Sequence, residues 1–193
     1  MYHFFALLSR MKYIHRWALM RNTKEENLAE HSLETAYIAH ALALIRNRRF
    51  KGNIDPEKAA VFALYHDTAE ILTGDLPTPV KYDNPTIKNA YRQIEKSAQS
   101  KLLSLLPEDL RNFYQDYVTE AIPEDIRKIV KAADKLSAVV KCMEEEKAGN
   151  KEFISAKKAL LETLRKMELP EVSVFMEEFL PSFSLNLDEL SIL

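Results

Sequence analysis

An all-α fold is what this 193-residue sequence predicts, on three observations: glycine is scarce, prolines fall where helices start, and apolar residues recur at helical spacing. Only Gly52, Gly74 and Gly149 interrupt a chain rich in Ala, Leu, Glu and Lys, the residues that lose least on entering a helix. No stretch alternates apolar and polar residues well enough for a strand. At 47% hydrophobic the chain can bury a core. Its length matches a single domain, residues 1–193, with the core over about 27–165.

In chain order, the first strong pattern is Leu28, His31, Thr35, Ile38, Leu42 and Ile45, whose steps of three and four residues trace one helix face after Asn27. His31 therefore lies on the apolar side. Asp55-Pro56 starts a second helix, because the aspartate can cap it and proline's missing N–H is not needed in a first turn. Helical spacing continues through Ala59, Phe62, Ala63, His66, Ala69 and Glu70 to Thr73-Gly74, where glycine suits a carboxy-terminal cap. A compact loop, Thr73 to Pro79, is expected next. Asn84-Pro85 and Pro107-Glu108 mark two more starts, the first leading into the stripe Ile87, Tyr91, Ile94, Ala98 and Leu102. Further stripes run through Ile126, Val130, Asp134 and Ser137, and through Phe153, Ala156, Leu160 and Leu164. A last one carries Phe175, Met176 and Phe179, and the segment after Pro181 is expected to wrap the outside.

Composition excludes several classes of function. Lys and Arg number 27 against 29 Asp and Glu, so the net charge is −2 and no whole-chain positive field can hold a nucleic acid polymer by its phosphates. Any anion must be gripped by a few placed residues. Phosphate loops and dinucleotide fingerprints need clustered glycines, because only backbone without Cβ approaches phosphate so closely, and the three glycines here stand apart. The single Cys142 rules out a disulfide framework and reads as a core thiol. The longest apolar run, Ala59 to Tyr65, is far short of the ~20 residues that cross a bilayer, so no membrane association is expected and the expected location is cytoplasmic.

His66-Asp67 follows helical turns that are almost wholly apolar. Placing both in a buried layer costs several kcal/mol unless each finds a partner, and one divalent cation satisfies both. His31, thirty-five residues earlier, and Asp134, sixty-eight residues after His66, also sit on inward stripes, so three helices can converge on one ion. Two imidazoles and two carboxylates suit Co²⁺, Mn²⁺, Fe²⁺ or Zn²⁺. On the donor set alone the choice among them stays open. Taken singly, His31 or Asp134 would read as an ordinary hydrogen-bonded core residue; the combination carries the argument. Glu70 stands four residues after His66 and three after Asp67, on their side of the helix, where spacing alone favours a solvated helix-end acid pairing with Lys58 or a neighbour. Arg16-Trp17 offers a planar fork for phosphate beside an indole wall, or else a surface charge and a core anchor. Gly74 to Pro79 is stiffened by two prolines and is either a ligand-binding loop or a plain connector.

With these residues on the page the chain resembles the HD-domain superfamily of metal-dependent phosphohydrolases, and within it the 5′-deoxynucleotidase branch. The likeness rests on Arg16-Trp17 with Leu19-Met20-Arg21-Asn22, Glu30-His31-Ser32, Tyr65-His66-Asp67 through Glu70, and Leu72 through Tyr82. It implies that His31, His66, Asp67 and Asp134 hold one metal ion, Co²⁺ or Mn²⁺ ahead of Zn²⁺, Fe²⁺ or Mg²⁺, with Glu70 as the acid or base beside it. It also implies that Arg16 binds the phosphate, that Trp17 occupies the place of a ribose 2′-hydroxyl, and that Asp75, Leu76, Pro77 and Thr78 contact the deoxyribose end. Asp125 shares a helix with Asp134 but sits beside Pro123 at its start, where an inward position is not assured. The implied activity is hydrolysis of deoxyribonucleoside 5′-monophosphates to deoxynucleoside and phosphate, by a homodimer. The alternatives are an HD phosphohydrolase acting on a triphosphate, an alarmone or a cyclic nucleotide, and a non-catalytic helical module with a structural metal.

Overall fold

A computed structural model describes residues 1–81 and 83–190, apart from the side chain of Thr78. Its elements are helices, in this order: α1 (Phe4–Leu8), α2 (Leu28–Phe50), α3 (Pro56–Tyr65), α4 (Glu70–Thr73), α5 (Thr78–Lys81), α6 (Pro85–Ser104), α7 (Glu108–Val118), α8 (Glu124–Lys147), α9 (Ile154–Lys166) and α10 (Pro170–Glu178). Short 3₁₀ turns follow α1 and α10 and precede α9. Among the described residues there is no strand, only an isolated antiparallel bridge between His15 and Asn27. No described helix is long and apolar enough to cross a membrane.

The helix starts obey local chemistry. Asn27 caps α2 by accepting from the N–H groups of Ala29 and Glu30, while the Glu30 side chain accepts from the Asn27 N–H, a reciprocal box that satisfies otherwise orphaned donors. Asp55 accepts from the Lys58 N–H at 2.9 Å and Asn84 from the Ile87 N–H at 3.0 Å, each followed by a proline in the first turn. The predicted α2 stripe, Leu28 to Ile45, is buried throughout. It packs on α3 and α8, with α9 and α10 closing the core, so His31 is carried into the interior by its own helix. Leu42, Leu136 and Val139 are fully buried, each worth roughly 1.5–3 kcal/mol of hydrophobic stabilisation. A smaller cluster of Phe4, Leu102, Leu103, Leu106 and Val118 ties α1 to α6 and α7. Cys142 is buried, as expected of a core thiol.

Three expectations are corrected. The helix from Pro56 does not run to Gly74: it ends at Tyr65, and residues 66–69 form a tight turn before α4. There the N–H groups of Thr68, Glu70, Ile71 and Leu72 bond three residues back, while the Thr68 hydroxyl and the His66 ring bond the carbonyls of Tyr65 and Ala63. Side chains that compete for helix carbonyls tighten the chain at this point. Second, the loop after Gly74 is shorter than Thr73 to Pro79, because α5 begins at Thr78. Gly74 has φ 72° and donates its N–H to Glu70, a left-handed turn that a residue with Cβ would resist. Third, the stripes on α6 and α10 are only partly covered: Ile87, Ile94 and Phe179 are exposed, because their faces of the helices are turned from the core. The segment after Pro181 does lie on the outside, with Lys147 Nζ donating to the Leu185 carbonyl.

Candidate metal centre and substrate cavity

Three helical regions bring His31 (α2), His66 (after α3) and Asp134 (α8) together, with one ligand atom from each within 4.8 Å of the others. Both imidazoles have a fixed orientation. His66 Nδ1 donates to the Ala63 carbonyl at 2.6 Å, so in the neutral ring it is Nε2 that carries the lone pair. His31 Nδ1 lies 3.1 Å from Ser137 Oγ, and the Ser137 hydroxyl donates to Glu34 Oε2 at 2.5 Å, so the serine oxygen receives the His31 Nδ1 proton. His31 Nε2 is likewise left facing the cluster. Both Nε2 atoms are buried and neither makes a hydrogen bond of good geometry, an arrangement that buried polar atoms normally avoid. A cation at this point would satisfy them, and the mixed nitrogen and carboxylate donors suit a borderline divalent metal.

Asp67 stands beside the three rather than among them. Its Oδ2 lies 3.1 Å from His66 Nε2 and 3.6 Å from His31 Nε2, and it accepts from Arg16 Nη1 at 3.4 Å. Asp134 Oδ1 is 3.3 Å from His31 Nε2. These proximities move the titrations apart. Burial works against charge on His66, but Asp67 and Asp134 outweigh it and push the imidazole up to about 9. Burial also opposes charge on Asp67, yet His66, His31 and Arg16 pull it down to about 2. Asp134 is held well below the usual carboxylate range against its burial, chiefly by His31 and His66. Asp125 is exposed and has no part in the cluster.

Glu70 is buried at the start of α4, with Oε2 free of any hydrogen bond. Its partner is Lys81, 3.9 Å away and also bound to Glu95 at 2.9 Å, not Lys58. Burial, then the charges of Asp67 and Asp75, push its carboxyl up to about 9. It therefore holds a proton at neutral pH in the metal-free protein, while Asp67, three residues away, does not.

Arg16 and Trp17 lie on the irregular segment between the 3₁₀ turn at Ser9–Tyr13 and α2. Together with Met20, Asp75, Pro77 and Asp134 they border a cavity of about 300 Å³. A second cavity, about 280 Å³, lies on the far side with His66, Asp67, Glu70 and Lys81, and Asp134 borders both. Leu76 is not among the described residues lining the first cavity, and the side chain of Thr78, like Tyr82, lies outside the described residues. Burial works against the Arg16 charge, but Asp67, Asp134, Glu26 and Asp75 raise its proton affinity, so it is a permanent cation beside the cluster.

Two acidic residues that the sequence reading missed hold this segment. Buried Glu26 accepts from Arg16 Nε at 3.2 Å and Trp17 Nε1 at 2.8 Å. Buried Glu145 on α8 accepts from the Thr23 N–H at 2.9 Å, the Thr23 hydroxyl at 2.6 Å, Lys141 Nζ at 2.5 Å and Asn150 Nδ2 at 2.8 Å. The one sequence signal was the Lys141-to-Glu145 spacing of four on an inward helix face.

A family model described as 5′-deoxynucleotidase YfbR-like matches residues 3–183. A 5′-deoxynucleotidase of Yersinia pestis is 52% identical over 193 residues, covering 100% of this chain and 98% of that protein; one of Yersinia pseudotuberculosis matches to the same extent. Among solved structures, an HD-domain phosphohydrolase of Listeria innocua superposes with a TM-score of 0.82 at 25% identity, over 94% of this chain and 88% of that one. The cyanophage S-2L HD phosphohydrolase, solved with dA and one catalytic Zn²⁺ ion, shares the fold at a TM-score of 0.66 and 19% identity, over 92% and 96%.

Proposed function

The chain belongs to the YfbR-like 5′-deoxynucleotidase family, and from that premise we propose that His31, His66, Asp67 and Asp134 hold one divalent metal ion beside a cavity where Arg16 and Trp17 receive a deoxyribonucleoside 5′-monophosphate. It is a metal-dependent phosphoric monoester hydrolase that releases deoxynucleoside and orthophosphate. The observation that carries the site assignment is the pair of buried, oriented Nε2 atoms that lie against carboxylate oxygens without a hydrogen bond of good geometry, close to Asp134. Co²⁺ or Mn²⁺ is the proposed metal.

When bound, the ion would polarise a phosphate oxygen and lower the pKa of its water. The remaining work falls to the chain. Arg16 presents a planar cationic fork to the phosphoryl oxygens, and Asp67 aims it from 3.4 Å. Glu70, whose carboxyl keeps a proton at neutral pH in the metal-free protein and whose Oε2 is free, acts as the acid: it gives that proton to the departing 5′-oxygen as the bond from phosphorus to that oxygen breaks and the water oxygen bonds to phosphorus. Trp17 fills the space of a 2′-hydroxyl, and Asp75 and Pro77, which border the same cavity, contact the deoxyribose end together with Leu76 and Thr78. A homodimer, which the exposed row Leu33, Tyr37 and Leu44 on α2 suits, and a cytoplasmic location, which the lone thiol Cys142 suits, complete the proposal.

The test is to strip the metal, restore Co²⁺, Mn²⁺, Mg²⁺ or Zn²⁺ separately, and assay deoxyribo- and ribonucleoside 5′-monophosphates for phosphate release, with Asp67→Ala as the inactive control. Orthophosphate from the deoxy series is the expected outcome. Pyrophosphate or triphosphate release from a nucleoside triphosphate, with none from monophosphates, would overturn it.

A further inference from the structure

Arg16 and Trp17 have different tasks in this reading, yet a single atom holds both. Oε2 of Glu26 accepts from Arg16 Nε and Trp17 Nε1, and the main chain repeats the link, since the Arg16 N–H donates to the Glu26 carbonyl at 3.0 Å. Trp17 needs such a hold. Its backbone has φ 59°, a left-handed conformation that bulky residues rarely adopt and keep only where the surroundings over-determine it. The indole also meets Phe153, ring centroids 5.3 Å apart, so it is braced by a hydrogen bond and a packed ring. Glu26 itself is 9% exposed and is not among the residues lining the substrate cavity.

Resting on the proposed roles of Arg16 and Trp17, we propose that Glu26 is a specificity-positioning residue: it sets the separation between the phosphate grip and the sugar wall to that of a 5′-phosphorylated deoxyribose. Rejecting one hydroxyl by shape requires a wall that does not yield, because an indole that swings by a fraction of an ångström admits the larger sugar. A shared acceptor achieves this. Displacing the indole disturbs the guanidinium, so a ribonucleotide that pushes Trp17 aside loses alignment at its phosphate as well.

The experiment compares Glu26→Ala and Glu26→Gln with the wild type, all metal-loaded, on deoxyribo- and ribonucleoside 5′-monophosphates that share a base. Thermal melts verify folding. Trp17 is the only tryptophan, so emission reports on this indole alone. In Glu26→Ala the deoxy-to-ribo ratio of kcat/KM is expected to fall about tenfold or more and the emission to shift to the red. Glu26→Gln keeps one acceptor oxygen but not the charge that strengthens its bonds, so an intermediate ratio is expected. If the alanine variant does not fold, the glutamine variant decides: a fall of about threefold or more supports the proposal. An unchanged ratio in the folded variants, with both sugars affected equally or not at all, overturns it. A wild-type enzyme that does not discriminate between the sugars would instead defeat the functional reading on which the proposal rests.

Discussion

The interior of the site and its rim are built by opposite means. The His31, His66 and Asp134 cluster sits on or beside helices with apolar faces, and the two Nε2 atoms at its centre are left without a hydrogen bond of good geometry. The rim that carries Arg16 and Trp17 has no regular structure, and its chain is tied down by hydrogen bonds to Glu26, Glu145 and Asn150. Helices position the interior through periodic packing and so can leave ligand atoms free for a metal. An irregular segment has no such support and takes its rigidity from side-chain hydrogen bonds that reach across the fold. The interior should therefore fail in chemistry when altered, and the rim in order.

The largest effect expected is at the interior. Asp134→Ala should lower kcat/KM by on the order of 10³ or more and abolish tight metal binding, while the protein stays folded. Exposed Asp125→Ala on the same helix should do neither. Steady-state kinetics and metal titration of both variants decide, and an active Asp134→Ala would break the comparison. At the rim, Glu145→Ala leaves Lys141 buried without its carboxylate and frees the Thr23 donors, so a loss of about 3 kcal/mol in unfolding free energy is expected by denaturant titration. Metal affinity per folded molecule should hardly change; a fall would mean that the two regions are not separable.

A smaller effect is expected from Ser137→Ala, which removes the acceptor that orients His31. Metal affinity should drop about 10- to 100-fold in chelator competition, with little change in melting temperature. The smallest effect concerns pH. In the metal-free protein His66, ordinarily near 6.5, is raised to about 9, and Glu70, ordinarily near 4.5, is also raised to about 9. Both bind protons more tightly folded than unfolded. The His66 contribution is complete below pH 6.5 and is lost as pH rises through 9; that of Glu70 has the same sign and begins to decline above pH 4.5. The melting temperature of the stripped enzyme should thus fall from mildly acidic pH to pH 9, and most steeply above 6.5. Metal should flatten the curve by displacing the proton on His66, and identical slopes with and without metal would count against these ligands.

The helices, their caps and the inward faces bearing His31 and Asp134 were legible because each follows from local chemistry: Asn27, Asp55-Pro56 and Asn84-Pro85 act within three residues, and a period near 3.6 selects the buried side. The Arg16-Trp17 pair and the His66-Asp67 step were visible as unusual residues in the chain. What tertiary structure decided was how these pieces meet. The break after Tyr65 turns on side chains bonding carbonyls that a helix would otherwise claim, so spacing alone continues the helix through it. Asp67 shares its carboxylate between two imidazoles and Arg16, an arrangement set by the approach of three distant segments. Glu26 looks like an ordinary surface acid in sequence, and Glu145 shows only its spacing from Lys141, because the other donors that hold them come from elsewhere in the fold. Periodicity records which way a side chain faces its own helix axis; which partner it finds depends on contacts between segments that lie far apart along the chain.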